Sequence, residues 1–265
     1  MAIVHTEAIV LRTYNLAEAD RIVLCLTRSA GLVRGVARGA RRLKNRFGAA
    51  LEPFTLVSLT FHEKENRELV TFSQTEILKS HFHLAADPET SNALAYMSEL
   101  LVEFAPPHEG DEKLFRMVSA CVNAIADAPP DSQSVLRYFE MWLLRLAGFL
   151  PDFRSCSECR VELAEQEIHL NAEGKPRCNA CSRGTGMPLA KETRESMLAT
   201  QRLSPIEFAI ASRALPAPAR EQFADMTHRL LFSVLEKRPR TSRSWLQPDP
   251  ADGAAAAATN RKQSF

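Results

Sequence analysis

Hydrophobic and polar residues alternate through roughly the first 80 positions of the chain, which is the spacing of half-buried β-strands. The pattern predicts five strands, in the stretches 5–14, 20–27, 31–40, 55–63 and 65–79. Five short strands that close one small domain are typical of a Greek-key barrel of the OB type. Gly31, Gly35 and Gly39 fall in the third stretch, where we expect them to permit a bend or a bulge.

The hydrophobic period becomes helical after about residue 86. Asp87 followed by Pro88 predicts a helix start, because Asp caps a helix and Pro suits its first turn. Ser204 and Glu207 have the spacing of a capping box at the start of another helix. Further helices are predicted around 114–125, 131–148, 191–198 and 217–236.

These patterns predict a multi-domain α+β protein with an N-terminal five-stranded OB barrel, a helical bundle and an inserted cysteine-rich module. The barrel is expected over 1–80 and the helical domain over 81–152 and 187–246. The cysteine-rich module is expected over 153–186, inserted in the helical domain. Residues 247–265 are of low complexity, and we expect them to be a disordered tail.

Four of the six cysteines form two CxxC pairs that are separated by eighteen residues. The four are Cys156, Cys159, Cys178 and Cys181. Two such pairs supply four thiolates for one tetrahedral ion, so we expect one structural Zn²⁺ with no open position for catalysis. Two disulfides or unused thiols are the alternatives, and a redox CxxC would normally open a helix beside a strand. Cys25 and Cys121 lie in apolar patterns and are predicted to be core residues.

Composition and charge exclude little by themselves, because 33 basic residues nearly balance 32 acidic ones. The N-terminal stretch lacks the pattern of a signal peptide, and no window approaches the roughly 18 apolar residues of a membrane span. We therefore expect a cytoplasmic protein whose thiols are reduced. GxSxG, HExxH and P-loop motifs are missing from the sequence, which favours a binding protein over an enzyme.

One segment has a strongly uneven charge: no Asp or Glu occurs between Asp20 and Glu52. Within it, residues 31–48, here called the basic segment, contain six cations: Arg34, Arg38, Arg41, Arg42, Lys44 and Arg46. Clustered cations on a barrel strand and its loop are typical of nucleic-acid binding, and a solvated loop is the alternative. Phe47 is a candidate for base stacking, whereas Phe54 and Phe61 have the pattern of core residues. A second basic cluster consists of Lys237, Arg238, Arg240 and Arg243.

Three stretches in this order and spacing, "EADRIV", "VARGARRLKNRFGAALEPF" and "LRLAGFLPDFRSCSEC", resemble the bacterial recombination mediator family RecO. The resemblance covers the chain to about residue 246 and implies an OB barrel, a helical bundle and a zinc module. It implies a non-enzymatic, nucleoid-associated DNA repair protein, active on DNA damage, that binds single- and double-stranded DNA and anneals complementary strands. With a RecR partner, such a protein helps load the RecA recombinase onto strands coated by single-strand-binding protein, whose acidic C-terminal tail it engages.

Carried over by position, the resemblance implies that the six cations of the basic segment contact DNA and that the four paired cysteines bind zinc. At two places the sequence departs from the pattern of the family. Asn45 stands where the family often has Ser, and Gly174 is followed by Lys175 and Pro176 where paired glycines are common. An RNA- or ribosome-associated OB-fold/zinc protein is the alternative function, and a thiol-redox enzyme is a third.

Overall fold

The computed structural model describes residues 2–63, 69–163, 167–235, 239 and 241. The strands are β1 (Ala2–Leu16), β2 (Asp20–Thr27), β3 (Gly31–Ala37), β4 (Leu56–Glu63), β5 (Val70–Lys79), β6 (Ile168–Leu170), β7 (Pro176–Cys178) and β8 (Met187–Leu189). The α-helices are α1 (Pro88–Phe104), α2 (Glu112–Asp127), α3 (Ser132–Leu146), α4 (Asn179–Ser182), α5 (Lys191–Ala199), α6 (Pro205–Ser212) and α7 (Ala217–Val234). The second basic cluster and the predicted disordered tail 247–265 lie outside the described residues.

The first five strands close into a barrel in the order β1-β2-β3-β5-β4. Strand β1 pairs with both β2 and β4, and the pairing of β3 with β5 is parallel while the other barrel pairs are antiparallel. This is the closed five-stranded arrangement expected of an OB-type barrel, and it leaves no barrel edge unpaired. The predicted α+β fold class is therefore confirmed.

Strand β2 is buried on both faces from Val23 onward because the barrel packs against the helices there. Val23 and Cys25 face the barrel interior, whereas Leu24 and Leu26 on the opposite face join the core of the helical domain. Side chains of a strand alternate between its two faces, so a single strand contributes to both cores. At the same contact, the Leu32 N–H donates to the Pro106 carbonyl at 3.2 Å.

The expected role of the glycines in β3 was wrong. The register of β3 is regular against both of its neighbours, and the irregularities of the barrel lie in the β1–β2 and β4–β5 pairings. Gly35 instead makes room inside the barrel, because a Cβ there would clash with the Phe72 ring. Gly31 begins the strand and Gly39 lies in the turn after it, with φ of +58° and +73°, values that favour glycine.

The strand was also expected to continue to residue 40, and side chains four positions apart on one strand, here Arg34 and Arg38, share a face. Strand β3 ends at Ala37, and Arg38 begins a turn. The side chain of Asp20 stabilises this turn, since its carboxylate accepts a hydrogen bond from the Gly39 N–H at 2.8 Å. The two arginines therefore do not share a strand face.

The helices begin where the capping patterns indicate. The Asp87 side chain accepts a hydrogen bond from the Thr90 N–H at the start of α1, and Ser204 and Glu207 form the capping box of α6. Gly148, with φ of +78°, follows the end of α3. Among the described residues, no helix is both long and apolar enough to span a membrane.

Candidate nucleic-acid interface and metal centre

The cations of the basic segment differ from the other barrel arginines in having no acidic partner. Arg28 forms ion pairs with Glu7 and Glu112 at 2.9 and 3.5 Å, and Arg21 pairs with Glu52 at 3.7 Å. By contrast, no described residue forms an ion pair or a side-chain hydrogen bond with the exposed side chains of Arg34, Arg38, Arg42 and Lys44. Their charge is therefore available to an anionic ligand.

The remaining two cations of the segment partly serve to hold its loop in place. The Arg41 guanidinium donates to the Ala17 carbonyl at 2.8 Å, so it pins the loop to the turn between β1 and β2. The Arg46 guanidinium lies 5.0 Å from the centre of the Phe47 ring and donates to the Phe72 carbonyl at 3.4 Å. Both side chains remain exposed, so the prediction that they contact DNA still stands.

Asn45 organises the backbone of the loop. Its side-chain oxygen accepts hydrogen bonds from the Phe47 and Gly48 N–H groups at 2.9 and 2.7 Å, and its amide donates to the Arg42 carbonyl at 3.0 Å. Asn and Ser side chains both accept such local bonds, which accounts for either residue at this position. The departure from the family pattern therefore leaves a loop-forming contact in place.

The loop lies at the side of the barrel that OB folds use for oligonucleotides. It rests on the β1–β2 turn, where the Arg41 N–H donates to the Ala19 carbonyl at 2.9 Å. In OB folds this turn and the face of strands 2 and 3 bind nucleic acid. The opposite end of that face, at Leu26 and Leu32, is covered by the helical domain.

Base stacking on aromatic side chains of the segment finds no support in the structure. Phe47, the candidate from sequence, is 3% exposed and belongs to the barrel core. Phe54 and Phe61 are buried as well, as their pattern predicted. The alternating pattern could not identify Phe47 as core because it follows the loop and lies outside every strand.

The structure brings the four paired cysteines together. The sulfur atoms of Cys156, Cys159, Cys178 and Cys181 all lie within 4.8 Å of one another, and the Cys159 and Cys178 sulfurs are 3.7 Å apart. Four thiolates bound tetrahedrally to zinc at about 2.3 Å would lie about 3.8 Å apart. The donor set and its spacing therefore fit a tetrahedral metal ion.

Backbone amides orient the first sulfur of the cluster. The Cys178 N–H donates to the Cys156 sulfur at 3.4 Å. Burial by itself raises the pKa of Cys156, but backbone N–H groups of Cys159, Cys178 and Glu158 outweigh it and lower the pKa to about 6. A thiolate is the form that binds a metal, so the surroundings of Cys156 favour coordination, whereas side-chain hydrogen bonds with Cys159 and Cys178 raise the pKa of Cys181 while no ion is bound.

The hairpin between the two cysteine pairs turns at a single glycine. Gly174, with φ of +74°, forms the turn, and the Asn171 side chain accepts hydrogen bonds from the N–H groups of Glu173 and Lys175. Pro176 begins β7, and its carbonyl accepts a hydrogen bond from the Ser157 N–H at 2.8 Å. This bond links the second cysteine pair to the first.

The helical domain contains a cavity lined by apolar and basic residues; a groove of this kind was expected in that domain, but its place could not be assigned from the sequence. It measures about 250 Å³ and lies between α3, α6 and α7. Its lining combines the aromatic side chains Phe208 and Phe223 with the basic side chains Arg137, Arg220 and His228, and includes one acid, Glu221. The signal that could have found it is a pair of polar residues, Arg137 and His228, on otherwise apolar helix faces.

Comparison with known proteins gives the family. The family model described as "Recombination protein O N terminal" matches residues 1–81, and "Recombination protein O C terminal" matches residues 85–244. The DNA repair protein RecO of Anaeromyxobacter dehalogenans (strain 2CP-C) is 34% identical over 82% of this chain and 85% of its own length. The protein of the same name from Anaeromyxobacter sp. (strain Fw109-5) is 32% identical over 87% of this chain and 90% of its own.

A third relative, the DNA repair protein RecO of Koribacter versatilis (strain Ellin345), is 36% identical over 61% of this chain and 66% of its own length. The two family models together span nearly all of the described barrel and helices. The chain therefore belongs to the recombination protein O (RecO) family, a family of DNA repair proteins, and the resemblance found in the sequence is confirmed.

Proposed function

We propose that this chain is a non-enzymatic, DNA-binding recombination mediator. It binds single- and double-stranded DNA, anneals complementary single strands, and with a RecR partner helps load RecA onto strands coated by single-strand-binding protein. The observation that carries the proposal is the set of four unpaired cations, Arg34, Arg38, Arg42 and Lys44, beside the oligonucleotide-binding side of the barrel. Membership of a family of DNA repair proteins supports it.

Phosphate binding is the chemistry that these side chains offer. Arginine forks donate two parallel hydrogen bonds to phosphate oxygens, and each neutralised phosphate releases condensed counterions. Annealing requires two polyanions to approach, so cations on an exposed loop lower the repulsion between them. Because the loop backbone is held by Asn45 and Arg41, little order has to be gained on binding.

The metal centre would act as a scaffold. One Zn²⁺ would be held by the four clustered cysteines, Cys156, Cys159, Cys178 and Cys181. The ion would cross-link the module, and its four sulfur ligands would leave no coordination position for a substrate. Cys156, Ile168 and Leu189 belong to the core of the helical domain, so an ordered module stabilises that domain. The Arg194 guanidinium also donates to the Phe153 carbonyl at 3.0 Å, which joins α5 to the start of the module.

The cavity between α3, α6 and α7 has the chemistry for the acidic, partly apolar tail of single-strand-binding protein. Phe208 and Phe223 are buried and form the floor of the cavity, the half-buried Leu215 offers apolar contact, and Arg220 supplies an exposed cation at the rim. A fluorescent tail peptide is expected to bind the wild-type protein and Arg229→Ala alike and to bind Arg220→Ala several-fold more weakly. Equal binding by all three proteins would remove this assignment.

Annealing of complementary oligonucleotides tests the proposed function. Replacing Arg38, Arg42 and Lys44 together by Ala is expected to slow annealing at least tenfold, because about three phosphate contacts are lost. The matched control is Arg21→Ala with Arg28→Ala, since both arginines are already paired with carboxylates. An unchanged annealing rate in the folded triple variant would refute the proposal.

Competition between RNA and DNA of one sequence separates this function from the alternative, an RNA- or ribosome-associated OB-fold/zinc protein. The mediator is expected to bind the DNA at least as tightly as the RNA. A strong preference for RNA would favour the alternative.

A further inference from the structure

Leu43 is an apolar side chain placed at full exposure within the basic segment. Leu43 is fully exposed, and its relative exposure is the highest among the large hydrophobic residues that the structure describes. Arg41 and Arg42 precede it, and Lys44 follows it. A single exposed hydrophobic residue is ordinary on a protein surface. Leu43, however, has cationic neighbours both before and after it in the sequence, and packing does not explain its presence there.

The loop that carries Leu43 is anchored at both ends. Ala40 before it and Phe47 after it are 7% and 3% exposed and belong to the barrel core. Between these anchors the Arg42 N–H donates to the Gly39 carbonyl, and the Asn45 amide donates to the Arg42 carbonyl, both at 3.0 Å. The backbone on either side of Leu43 is therefore held, and the side chain is presented outward without a partner in the described part of the chain.

The charges around Leu43 indicate which kind of ligand its apolar side chain would contact. The flanking cations Arg42 and Lys44 have no acidic partner among the described residues, so the surroundings of Leu43 attract a polyanion and disfavour a basic surface. A nucleic-acid strand held by its phosphates next to such a loop presents its bases as the nearest apolar surface. Leucine is one of the side chains that DNA-binding proteins insert between bases.

We propose that Leu43 is a wedge that inserts between neighbouring bases of a DNA strand bound to the basic segment. The inference rests on the proposed function, since it requires DNA at this loop. The cations fix the position of the strand, and the apolar tip separates two stacked bases. An unstacked strand presents base edges for pairing with a second strand, which connects the wedge to annealing.

Other exposed hydrophobic residues do not share these surroundings. Ile3 is 68% exposed on β1 and Phe82 is 64% exposed next to His81 and His83, away from the acid-free interval. Phe82→Ala is therefore a matched control, because it removes an exposed hydrophobic side chain outside the basic segment.

The test uses the full chain and a single-stranded oligonucleotide that carries 2-aminopurine, whose fluorescence rises when it unstacks, and a separate terminal dye for anisotropy. At saturating protein, wild type, Leu43→Met and Phe82→Ala are expected to raise the 2-aminopurine fluorescence about twofold. Leu43→Ala is expected to abolish most of that rise while weakening binding by less than about tenfold, with the salt dependence unchanged.

Two outcomes would overturn the wedge. One is a full fluorescence rise with Leu43→Ala at saturation, and the other is no rise with the wild type despite saturated anisotropy. The proposed function fails separately, if the anisotropy shows no DNA binding or if removal of the four unpaired cations leaves binding unaltered.

Discussion

The side-chain oxygen of Asn45 accepts a hydrogen bond from the backbone N–H of Phe47 at 2.9 Å, and this contact joins the exposed basic loop to the barrel core. Phe47 is buried among barrel residues, so the bond fixes where the loop ends. The same oxygen accepts a second bond, from the Gly48 N–H. The shape of the candidate interface therefore depends on a residue that carries no charge.

Asn45→Ala is expected to lower the free energy of unfolding by about 1 kcal/mol, as loss of a capping side chain does. Asn45→Ser should retain most of the stability because a hydroxyl oxygen can accept the same bonds. Urea unfolding of the two variants measures the difference. Equal destabilisation by both substitutions would show that the hydrogen bonds accepted by the side-chain oxygen at position 45 do not stabilise the loop.

Gly35→Ala is expected to destabilise the barrel by about 1–3 kcal/mol, because the added methyl group meets the Phe72 ring inside a packed core. Phe72→Leu removes part of that ring, so the double variant should lose less stability than the sum of the single variants. A thermodynamic double-mutant cycle measures this coupling, which should reach about 1 kcal/mol. Additive losses would contradict the proposed contact.

The role of Gly35 illustrates what could not be predicted from the sequence. The strand itself followed from alternation, but the reason for the glycine is a ring 37 positions further along the chain, in a strand that pairs in parallel with β3. Arg38 was placed on the strand because the stretch 31–40 was predicted to be extended throughout, yet the chain turns at Arg38 and the Gly39 N–H donates to the Asp20 carboxylate. Local periodicity carries no information on either contact.

Signals confined to a few residues were more predictable. The caps at Asp87 and Ser204 depend on side chains that bond within three positions, and the structure forms both. The cysteine pairs were equally visible, because each CxxC turn is local. The cavity combines residues from 133 to 228 on three helices, so only the tertiary fold brings its lining together.

Purified protein is expected to contain about one zinc ion per chain, bound by the four clustered cysteines. Cys178→Ser should lose the metal and unfold at a lower temperature, because metal binding and folding are coupled. Cys121→Ala is the matched control, since its sulfur lies near Met117 inside the helical domain, outside the cluster. Elemental analysis that found full zinc in Cys178→Ser would contradict the assignment.

Glu207→Gln is expected to change how stability depends on pH. The Ser204 N–H and then the Ser204 hydroxyl donate to the Glu207 carboxylate and lower its pKa. A lowered folded-state pKa stabilises the protein above the unfolded-state pKa, and this stabilisation is lost as the pH falls through the folded-state pKa. The midpoint temperature of thermal unfolding should therefore be higher for the wild type than for Glu207→Gln at about pH 7. This difference should shrink as the pH falls towards about pH 3. A difference that stayed constant over this range would argue against the capping box as its source.

The salt dependence of DNA binding tests the central claim most directly, because each phosphate contact contributes to the slope of log affinity against log salt. Replacing Arg34, Arg38, Arg42 and Lys44 by Ala is expected to flatten that slope for single-stranded DNA by about three units. The control that removes the paired arginines Arg21 and Arg28 should keep the wild-type slope to within about one unit. If the fourfold variant remains folded and binds with the wild-type slope, the basic segment is not the DNA-binding surface.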